Sequence, residues 1–219
     1  MGLRINDIAP DFTADTTDGQ ISFHDWIGDS YAVLFSHPKD FTPVCTTEFG
    51  AVSKLAADFA KRNTKVMGVS VDDVEDHHKW KADIEGFAKA KAEFPIIDDT
   101  SLNVAKLYDM LPAEAYLPDG RTANDSASVR TTFIIGPDKK IRLMLIYPMT
   151  VGRNFDEILR ALDAIQATDR EVIATPADWR PGDDVIVRTS MPTDEATAKY
   201  GDLKVVYPYL RFAKDPSAK

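Results

Sequence analysis

Cys45 is the only cysteine among the 219 residues of the chain, and its neighbours are of the types that can make a thiol react. It stands in the stretch SHPKDFTPVCTTEFG, residues 36–50, which is polar and loop-like rather than part of an apolar stripe. Cysteine reacts as the thiolate, so a reactive cysteine needs surroundings that favour negative charge on sulfur. The alternative interpretation is a small buried hydrophobic residue, which is a common role for an unpaired cysteine.

Three features of this stretch favour the thiolate. Cys45 falls in the opening turn of a helix predicted from about Val44 onward, where unpaired N–H groups and the helix dipole attract an anion. Pro43 suits that first turn because its missing N–H would have had no partner there. His37 closes the apolar run YAVLFSH and is expected to emerge beside the same loop. A strand end, a short loop and a helix start form the usual place for chemistry in open α/β sheets.

Apolar runs and helical patterns alternate along the chain and predict the elements that position this stretch. YAVLFSH, KVMGVSV and FPIIDD are predicted strands, and FTADTTDGQISFHDW and RTTFIIGPDKKIRLMLIY are predicted hairpins. A helix is predicted after Cys45, and others in HHKWKADIEGFAKAKAEF, in SLNVAKLYDML up to Pro112, and in the strongly amphipathic NFDEILRALDAIQA. The predicted fold class is α/β, with a mixed central sheet flanked by helices.

The composition changes near residue 166 and predicts two parts. Residues 3–165 form the α/β domain, and residues 166–219 form a small C-terminal extension with several prolines and little core of its own. Such a segment usually packs against the main domain or a partner subunit.

Composition and charge exclude several classes of function. The net charge of −9 argues against binding to nucleic acid or to anionic membranes, and no apolar run approaches the length of a membrane span. One cysteine cannot form an internal disulfide and the N-terminus lacks a signal-peptide pattern, so we expect a cytoplasmic protein. No glycine-rich phosphate loop is present, and His77 and His78 lack a third ligand candidate nearby. We therefore expect neither a metal nor an organic cofactor.

The stretch HPKDFTPVCTTE resembles the peroxidatic signature of peroxiredoxins, in which proline, threonine and cysteine are spaced as in Pro38, Thr42 and Cys45. His before Pro, and Thr-Thr-Glu after Cys, are similar to the one-cysteine class, the peroxiredoxin 6 type of the AhpC/TSA family. FPIIDD, GPDKK, YPMTVGRNFDEILR and ATPADW also resemble stretches of that class in the same order, so the resemblance covers nearly the whole chain. It implies a thioredoxin-like fold for residues 3–165 and a homodimer that residues 166–219 help to form. Larger rings of dimers occur in the family.

The resemblance implies an antioxidant, thiol-dependent peroxidase that reduces hydrogen peroxide and organic hydroperoxides. Cys45 would attack the peroxide, Thr42 would contact the sulfur and the peroxide, and Pro38 would shield the sulfur from water. Arg130 would stabilise the thiolate and the polarised O–O bond, which suits the fixed donors of a guanidinium. The substrate pocket would also contain His37, Arg153 and Glu48, of which Glu48 would orient an arginine. Without the motif around Cys45, surface ion pairing would be the preferred interpretation of both arginines.

A single cysteine also determines what must follow the oxidation. The sulfenic acid formed on Cys45 meets no second thiol in its own chain and no different cysteine in a like subunit. An external thiol or another small reductant, such as the thioredoxin or glutathione system, must therefore reduce it. Overoxidation to the sulfinic acid is an expected hazard.

Mammalian members of the one-cysteine class also have a phospholipase A2 activity, attributed to a Ser, His and Asp set. The matching positions are Ser30, His24 and Asp138, but Ala32 stands where the motif has glycine. Ser30 also precedes a predicted strand, whereas a nucleophile elbow follows one, and Asp138 suits a hairpin turn. Phospholipase activity therefore stays a minor hypothesis, which esterase turnover that disappears in Ser30→Ala with peroxidase activity intact would revive.

Three other functions remain open from the sequence. A thiol–disulfide oxidoreductase would need Cys-x-x-Cys, where this chain has VCTT. A cysteine hydrolase would use Cys45 with His37, and peroxide-dependent sulfenic acid formation distinguishes it from a peroxidase. A non-enzymatic holdase would keep its effect in Cys45→Ser.

Overall fold

The computed structural model describes residues 2–113 and 127–217. The chain divides into two compact units, Met1–Phe155 and Asp156–Lys219. The domain boundary predicted at residue 165 thus lies inside a helix, which begins at Phe155 and ends at Arg170.

A seven-stranded mixed sheet is the centre of the first unit. Its strands, in chain order, are β1 (Thr13–Thr16), β2 (Gly19–Ser22), β3 (Tyr31–Ser36), β4 (Thr64–Ser70), β5 (Ile96–Asp98), β6 (Arg130–Ile135) and β7 (Ile141–Tyr147). Their spatial order is β2-β1-β5-β4-β3-β6-β7. Strands β3, β4 and β5 are parallel, while β1 and β6 run antiparallel to β5 and β3. The apolar run that the sequence predicts as a doubly covered strand is β3, which is buried over Ala32–Ser36.

The helices described in the first unit are α1 (Phe23–Ile27), α2 (Pro43–Lys54), α3 (Ala56–Lys61), α4 (Val74–Ala88) and α5 (Asn103–Leu107). The helix predicted after Cys45 is two helices, because Leu55, at ψ 5°, departs from helical geometry between α2 and α3. Helix α4 begins where the Asp73 carboxylate accepts the N–H of Asp76 at 2.8 Å, and it ends where Lys89 turns left-handed. Helix α5 ends before the predicted stop at Pro112.

The core of the first unit lies around the sheet. A large apolar cluster includes Phe23, Leu34, Met67, Tyr108 and Phe133. The mixed sheet flanked by helices that the sequence predicts is confirmed. At the carboxyl end of β3, the His37 N–H donates to the Val69 carbonyl of β4, at the edge of the sheet where α2 begins.

The second unit contains most of α6 (Phe155–Arg170), followed by β8 (Ile173–Ala174), β9 (Val185–Val187), α7 (Thr193–Tyr200), β10 (Lys204–Tyr207) and β11 (Leu210–Ala213). The four strands form a separate sheet in the order β10-β11-β9-β8. The prediction that this segment has little core is wrong, because a buried cluster surrounds Trp179: Ala167, Ile173, Val185, Val187, Ala196 and Ala213. No helix within the described residues is long and apolar enough to cross a lipid bilayer.

Candidate active site

The start of α2 holds Cys45 in the first turn of a helix, as the sequence predicts. Thr42 is the N-cap residue with extended backbone angles of −114° and 148°, and Pro43 is the first helical residue. The Thr46 N–H then donates to the Thr42 carbonyl at 3.0 Å, which closes the first turn. Phe41, just before the cap, has a φ of 55°, a left-handed value that costs a non-glycine residue on the order of 1–3 kcal/mol.

The sulfur of Cys45 lies against a guanidinium group. Nη1 of Arg130 donates to Sγ of Cys45 at 3.3 Å, and Nε of Arg130 donates to the Met149 carbonyl at 2.8 Å. Arg130 is the first residue of β6, so the strand fixes its backbone and the Met149 carbonyl fixes the orientation of its guanidinium group. Both side chains are buried, and the exposed fraction of Cys45 is 0%.

The sulfur of Cys45 is covered in this structure. Pro38 is buried, as is Cys45 itself. A groove of about 470 Å³ lies instead beside the first turn of α2, where Thr42, Pro43 and Thr46 contribute to its lining. Two exposed aromatic rings, Phe41 and Phe87, also line it. The reactive group is thus covered, while the residues next to it in the chain face an open surface.

Glu48 joins Arg130 to Arg153. Its Oε2 accepts from Nη1 of Arg130 at 2.7 Å and from Nη2 of Arg153 at 2.8 Å. Its Oε1 accepts from the backbone N–H of Arg153 at 2.8 Å and from Nε of Arg153 at 2.9 Å. Arg153 is held further by the Thr131 carbonyl, at 3.0 Å from Nη1, and it lies over the Phe35 ring. The second arginine therefore reaches the sulfur only through Glu48 and Arg130.

The charges of this buried cluster do not cancel without the sulfur. Two guanidinium groups and one carboxylate sum to one net positive charge, carried by Arg130, Arg153 and Glu48. Burial opposes ionisation of Glu48, but the hydrogen bonds and charge of Arg153, and the charge of Arg130, hold its pKa below the ordinary value. A thiolate on Cys45 would bring the sum to zero. Negative charge that develops on this sulfur during a reaction would therefore meet a net positive charge.

Thr42 ends the loop that contains Pro38 and joins β3 to α2. Oγ1 of Thr42 donates to the Lys39 carbonyl at 2.9 Å, so its donor is engaged within the loop in this structure. The hydroxyl oxygen of Thr42 retains acceptor capacity. Thr46, on the other side of Cys45, receives the indole N–H of Trp80 at 3.1 Å, which ties α2 to α4.

His37 belongs to a buried network that the sequence analysis did not foresee. Its Nε2 lies 2.6 Å from Oδ1 of Asp40, and Oδ2 of Asp40 lies 2.6 Å from Nδ1 of His77. His77 and His78 are adjacent in the sequence, but the structure buries His77 and exposes His78. The available signal was the helical phase: His77 shares the buried stripe of α4 with Trp80 and Ile84.

The same network contains the donor types of a metal site. Single ligand atoms of His37, Asp40 and Asp72 lie within 4.8 Å of one another. Both oxygens of Asp40 already accept from histidines, and Oδ2 of Asp72 accepts from the Asp40 N–H and from Oγ of Ser70, each at 2.8 Å. The oxygens are occupied by hydrogen bonds within the protein, so we assign a hydrogen-bonded network and no metal site here.

The structure gives Ser30, His24 and Asp138 separate partners. Nε2 of His24 lies 2.8 Å from the Ala9 carbonyl, an acceptor that requires a proton on this nitrogen. Asp138 pairs with Arg142 at 3.1 Å, in the hairpin turn after β6. Ser30 is buried in the turn that leads into β3. Among the described contacts, none forms the serine–histidine–aspartate chain that a hydrolase needs.

Family comparisons cover both parts of the chain. The profile of the AhpC/TSA family matches residues 5–144, and that of the C-terminal domain of 1-Cys peroxiredoxin matches residues 164–203. The chain is 55% identical to the mitochondrial peroxiredoxin PRX1 of Saccharomyces cerevisiae, over 97% of this chain and 81% of that protein.

Solved structures agree with these matches. A cysteine-to-serine mutant of peroxiredoxin 6 from Arenicola marina superposes with a TM-score of 0.91 at 42% identity, covering 99% of this chain and 100% of that one. A yeast mitochondrial 1-Cys peroxiredoxin, described with its thiol resolving mechanism via glutathione/thioredoxin systems, gives 0.86 at 53% identity, covering 97% and 99%. The expected thioredoxin-like fold is confirmed.

The expectation of a cytoplasmic protein is wrong, because a relative that is 55% identical is a mitochondrial protein. The expectation depended mainly on the single cysteine. An unpaired thiol argues against an oxidising compartment but does not distinguish one reducing compartment from another.

Proposed function

This chain belongs to the AhpC/TSA family of peroxiredoxins and is a single-cysteine, thiol-dependent peroxidase, and from that premise we propose roles for the residues around its sulfur. Cys45 is the nucleophile. Arg130 is the catalytic donor that stabilises negative charge, first on the sulfur and then on the leaving oxygen. The observation that carries this proposal is the 3.3 Å contact between Nη1 of Arg130 and Sγ of Cys45, inside a cluster with one uncompensated positive charge.

The reaction on Cys45 is a displacement at oxygen. A sulfur lone pair attacks the hydroxyl oxygen of the hydroperoxide, an S–O bond forms and the O–O bond breaks. The sulfur is oxidised by two electrons to the sulfenic acid. The peroxide is reduced to an alcohol or to water, and the proton that left the thiol ends on the leaving oxygen. Negative charge moves from sulfur to oxygen during this step, and a guanidinium at a fixed position stabilises both ends of the movement.

The other predicted site residues support this step from the surrounding positions. Glu48 orients both arginines, because each of its oxygens accepts from Arg153 or Arg130. Arg153 supplies the second positive charge of the cluster without touching the sulfur. Thr42 offers its hydroxyl oxygen to the peroxide, Pro38 excludes water, and His37 forms part of the buried wall.

Access to the sulfur leads through the first turn of α2. Thr42, Pro43 and Thr46 flank Cys45 in the chain and line the open groove. A displacement of this turn would therefore admit a hydroperoxide from the groove. The aromatic rings of Phe41 and Phe87 favour organic hydroperoxides with apolar groups, alongside hydrogen peroxide.

The sulfenic acid is reduced by an external thiol. The chain contains one cysteine, so no intramolecular disulfide can form. The yeast 1-Cys relative is described as resolved via glutathione/thioredoxin systems, and we propose the same class of reductant for this chain. We also propose that the protein acts as a homodimer or a ring of dimers and that residues 166–219 contribute to dimerisation.

Exposed residues in edge strands of both sheets support this assembly. Strand β7 is an edge of the central sheet and exposes 62% of Ile146, while β10 is an edge of the second sheet and is exposed over its whole length. Sedimentation equilibrium of the full chain tests the assembly. A mass of one chain at micromolar concentration would contradict it.

Peroxide consumption tests the catalytic proposal. Wild type and Cys45→Ser receive hydrogen peroxide or an organic hydroperoxide, with thioredoxin and its reductase, glutathione, or ascorbate supplied in turn. We expect wild type to turn over with a thiol system and Cys45→Ser to be inactive with every reductant. Peroxide consumption that Cys45→Ser retains would overturn the proposal.

A further inference from the structure

Three buried side chains are joined in a chain that begins at the end of β3. It joins His37 at the end of β3, Asp40 in the following loop and His77 in α4 through two contacts of 2.6 Å. His37 and His77 are each 0% exposed, and Asp40 is 2% exposed. At one end, Nε2 of His77 lies 3.0 Å from the Ile97 carbonyl, and at the other end Nδ1 of His37 is buried and has no hydrogen-bond partner among the residues that the structure describes.

The acceptors along this chain determine where its protons lie. The Ile97 carbonyl can only accept, so Nε2 of His77 carries a proton, and the Asp40 carboxylate requires another proton on Nδ1 of His77. His77 is therefore an imidazolium. His37 donates to Asp40 from Nε2, which leaves Nδ1 to hold either a lone pair or a buried proton without an acceptor. The lone pair is the less costly state, because it adds no second buried cation beside His77.

The ionisation directions agree with this assignment. Burial opposes charge on His77, but the hydrogen bond and charge of Asp40 raise its pKa. Burial is the largest influence on His37 and lowers its pKa, and the charge of His77 lowers it further against the raising effect of Asp40. Titratable groups face His37 from the loop after β3 (Asp40), from the end of β4 (Asp72) and from α4 (His77). On the α2 side it meets the apolar ring of Phe49.

His37 packs directly on the helix that carries the sulfur. Its ring lies 4.5 Å from the ring of Phe49, which is one helical turn after Cys45 and on the same face of α2. It also stacks at 5.0 Å on Trp80, whose indole donates to Thr46, the residue next to Cys45. The unpartnered nitrogen thus belongs to the wall that supports the first turns of α2.

We propose that Asp40 and His77 are positioning residues of the peroxidase site, which hold His37 as the neutral Nε2–H tautomer with an acceptor lone pair on Nδ1. This inference rests on the proposed function of Cys45. His37 supports α2 through Phe49, one turn after Cys45, so we propose that a neutral Nδ1 is the acceptor for the sulfenic hydroxyl formed on that cysteine. The imidazolium of His77 offsets the charge of Asp40. The carboxylate therefore orients His37 without drawing a second proton onto its ring.

The first test measures the tautomers in the wild-type protein. The chain has four histidines, so single substitutions to glutamine assign each pair of imidazole nitrogens in long-range proton–nitrogen spectra. At pH 7 we expect His37 to carry one proton, on Nε2, and His77 to carry two. A proton on Nδ1 of His37, or a neutral His77, would overturn the proposal. This readout does not depend on peroxide turnover, so it separates a failure of this inference from a failure of the proposed function.

The second test removes the cation. In His77→Gln the charge of Asp40 is no longer offset, so we expect His37 to take up its second proton as the pH falls from 8 to 6. The rate constant of sulfenic acid formation, followed by trapping with a 1,3-dione, should then fall by at least about tenfold more than in wild type over the same range. His78→Gln changes the exposed neighbouring histidine and should match wild type. An unchanged tautomer and pH profile in folded His77→Gln would contradict the proposal, and if that variant does not fold the wild-type spectra decide.

Discussion

Replacing Arg130 with glutamine tests whether the guanidinium beside the sulfur accelerates the chemical step. The substitution removes the 3.3 Å contact from Nη1 to Sγ of Cys45 and one positive charge. It leaves Glu48 paired with Arg153, one negative charge with one positive, so the remaining buried pair is balanced and the protein should fold. Any loss of rate can then be attributed to the reacting sulfur.

The magnitude of the loss follows from the kind of bond removed. A hydrogen bond to a charged group is worth about 1.5–3 kcal/mol, and each 1.36 kcal/mol changes a rate about tenfold. The second-order rate constant for sulfenic acid formation should therefore fall by about 10-fold to about 150-fold. Arg130→Lys keeps the positive charge but loses the planar guanidinium group, so its rate constant should lie between those of wild type and Arg130→Gln.

The assay is stopped-flow mixing of reduced protein with hydrogen peroxide, quenched into a 1,3-dione that labels the sulfenic acid. Arg62→Gln is the matched control, because Arg62 lies at the opposite end of β3 and β4 from the site. It is the C-cap residue of α3, and the carbonyl of the next residue, Asn63, accepts the N–H of Tyr31 at the start of β3. This variant should react as wild type does. A folded Arg130→Gln protein whose rate constant lies within twofold of wild type would show that this guanidinium does not accelerate the chemical step.

Three further predictions concern the structure around the site. Glu48→Gln removes the carboxylate that pairs with both buried guanidinium groups, those of Arg130 and Arg153. The free energy of unfolding, measured in urea at pH 7, should therefore fall by about 3–5 kcal/mol, and a loss below about 1 kcal/mol would show that the carboxylate does not compensate the pair. Burial opposes ionisation of Asp40, but the hydrogen bonds from His37 and His77 lower its pKa to about 2 from 3.8. The ionised carboxylate therefore adds about 2 kcal/mol to the free energy of unfolding above pH 4, and this contribution is lost as the pH falls toward 2. Urea unfolding between pH 5 and 2 should show this loss in wild type and a smaller one in Asp40→Asn; equal slopes would contradict the assignment. Gly68→Ala places a methyl carbon 2.8 Å from Cζ of Phe49, the α2 residue that packs on His37, and should destabilise the protein by about 1–3 kcal/mol. Gly86→Ala is the control, because this position in α4 has open space around it, and the substitution should leave stability unchanged or raise it.

The central elements were predictable because their patterns are local. The continuous apolar run of β3 predicts a strand covered on both faces, and Pro43 predicts the first turn that holds Cys45. The break at Leu55 was not predictable, because the apolar pattern continues through it. The core of the C-terminal unit was missed because its members are small or widely spaced residues around one tryptophan, and no window of the sequence contains enough of them to show a period.

The site was predictable where the sequence encodes a motif, but not where it depends on tertiary contacts. The spacing of Pro38, Thr42 and Cys45 indicates the chemistry, yet nothing in it shows that Glu48 bridges both arginines. The pairing of Asp40 with His77 joins residues 37 positions apart, and only the folded sheet brings them together. The burial of Cys45 is likewise a property of packing, which no local pattern in the sequence shows.

Mass spectrometry of the reduced protein, after one equivalent of hydrogen peroxide in the presence of a 1,3-dione, tests directly whether Cys45 is the peroxidatic residue. We expect one adduct, located on Cys45, that forms in wild type, forms more slowly in Arg130→Gln and is absent from Cys45→Ser. A wild-type protein that remains unlabelled while peroxide persists, with its thiol intact, would contradict this assignment.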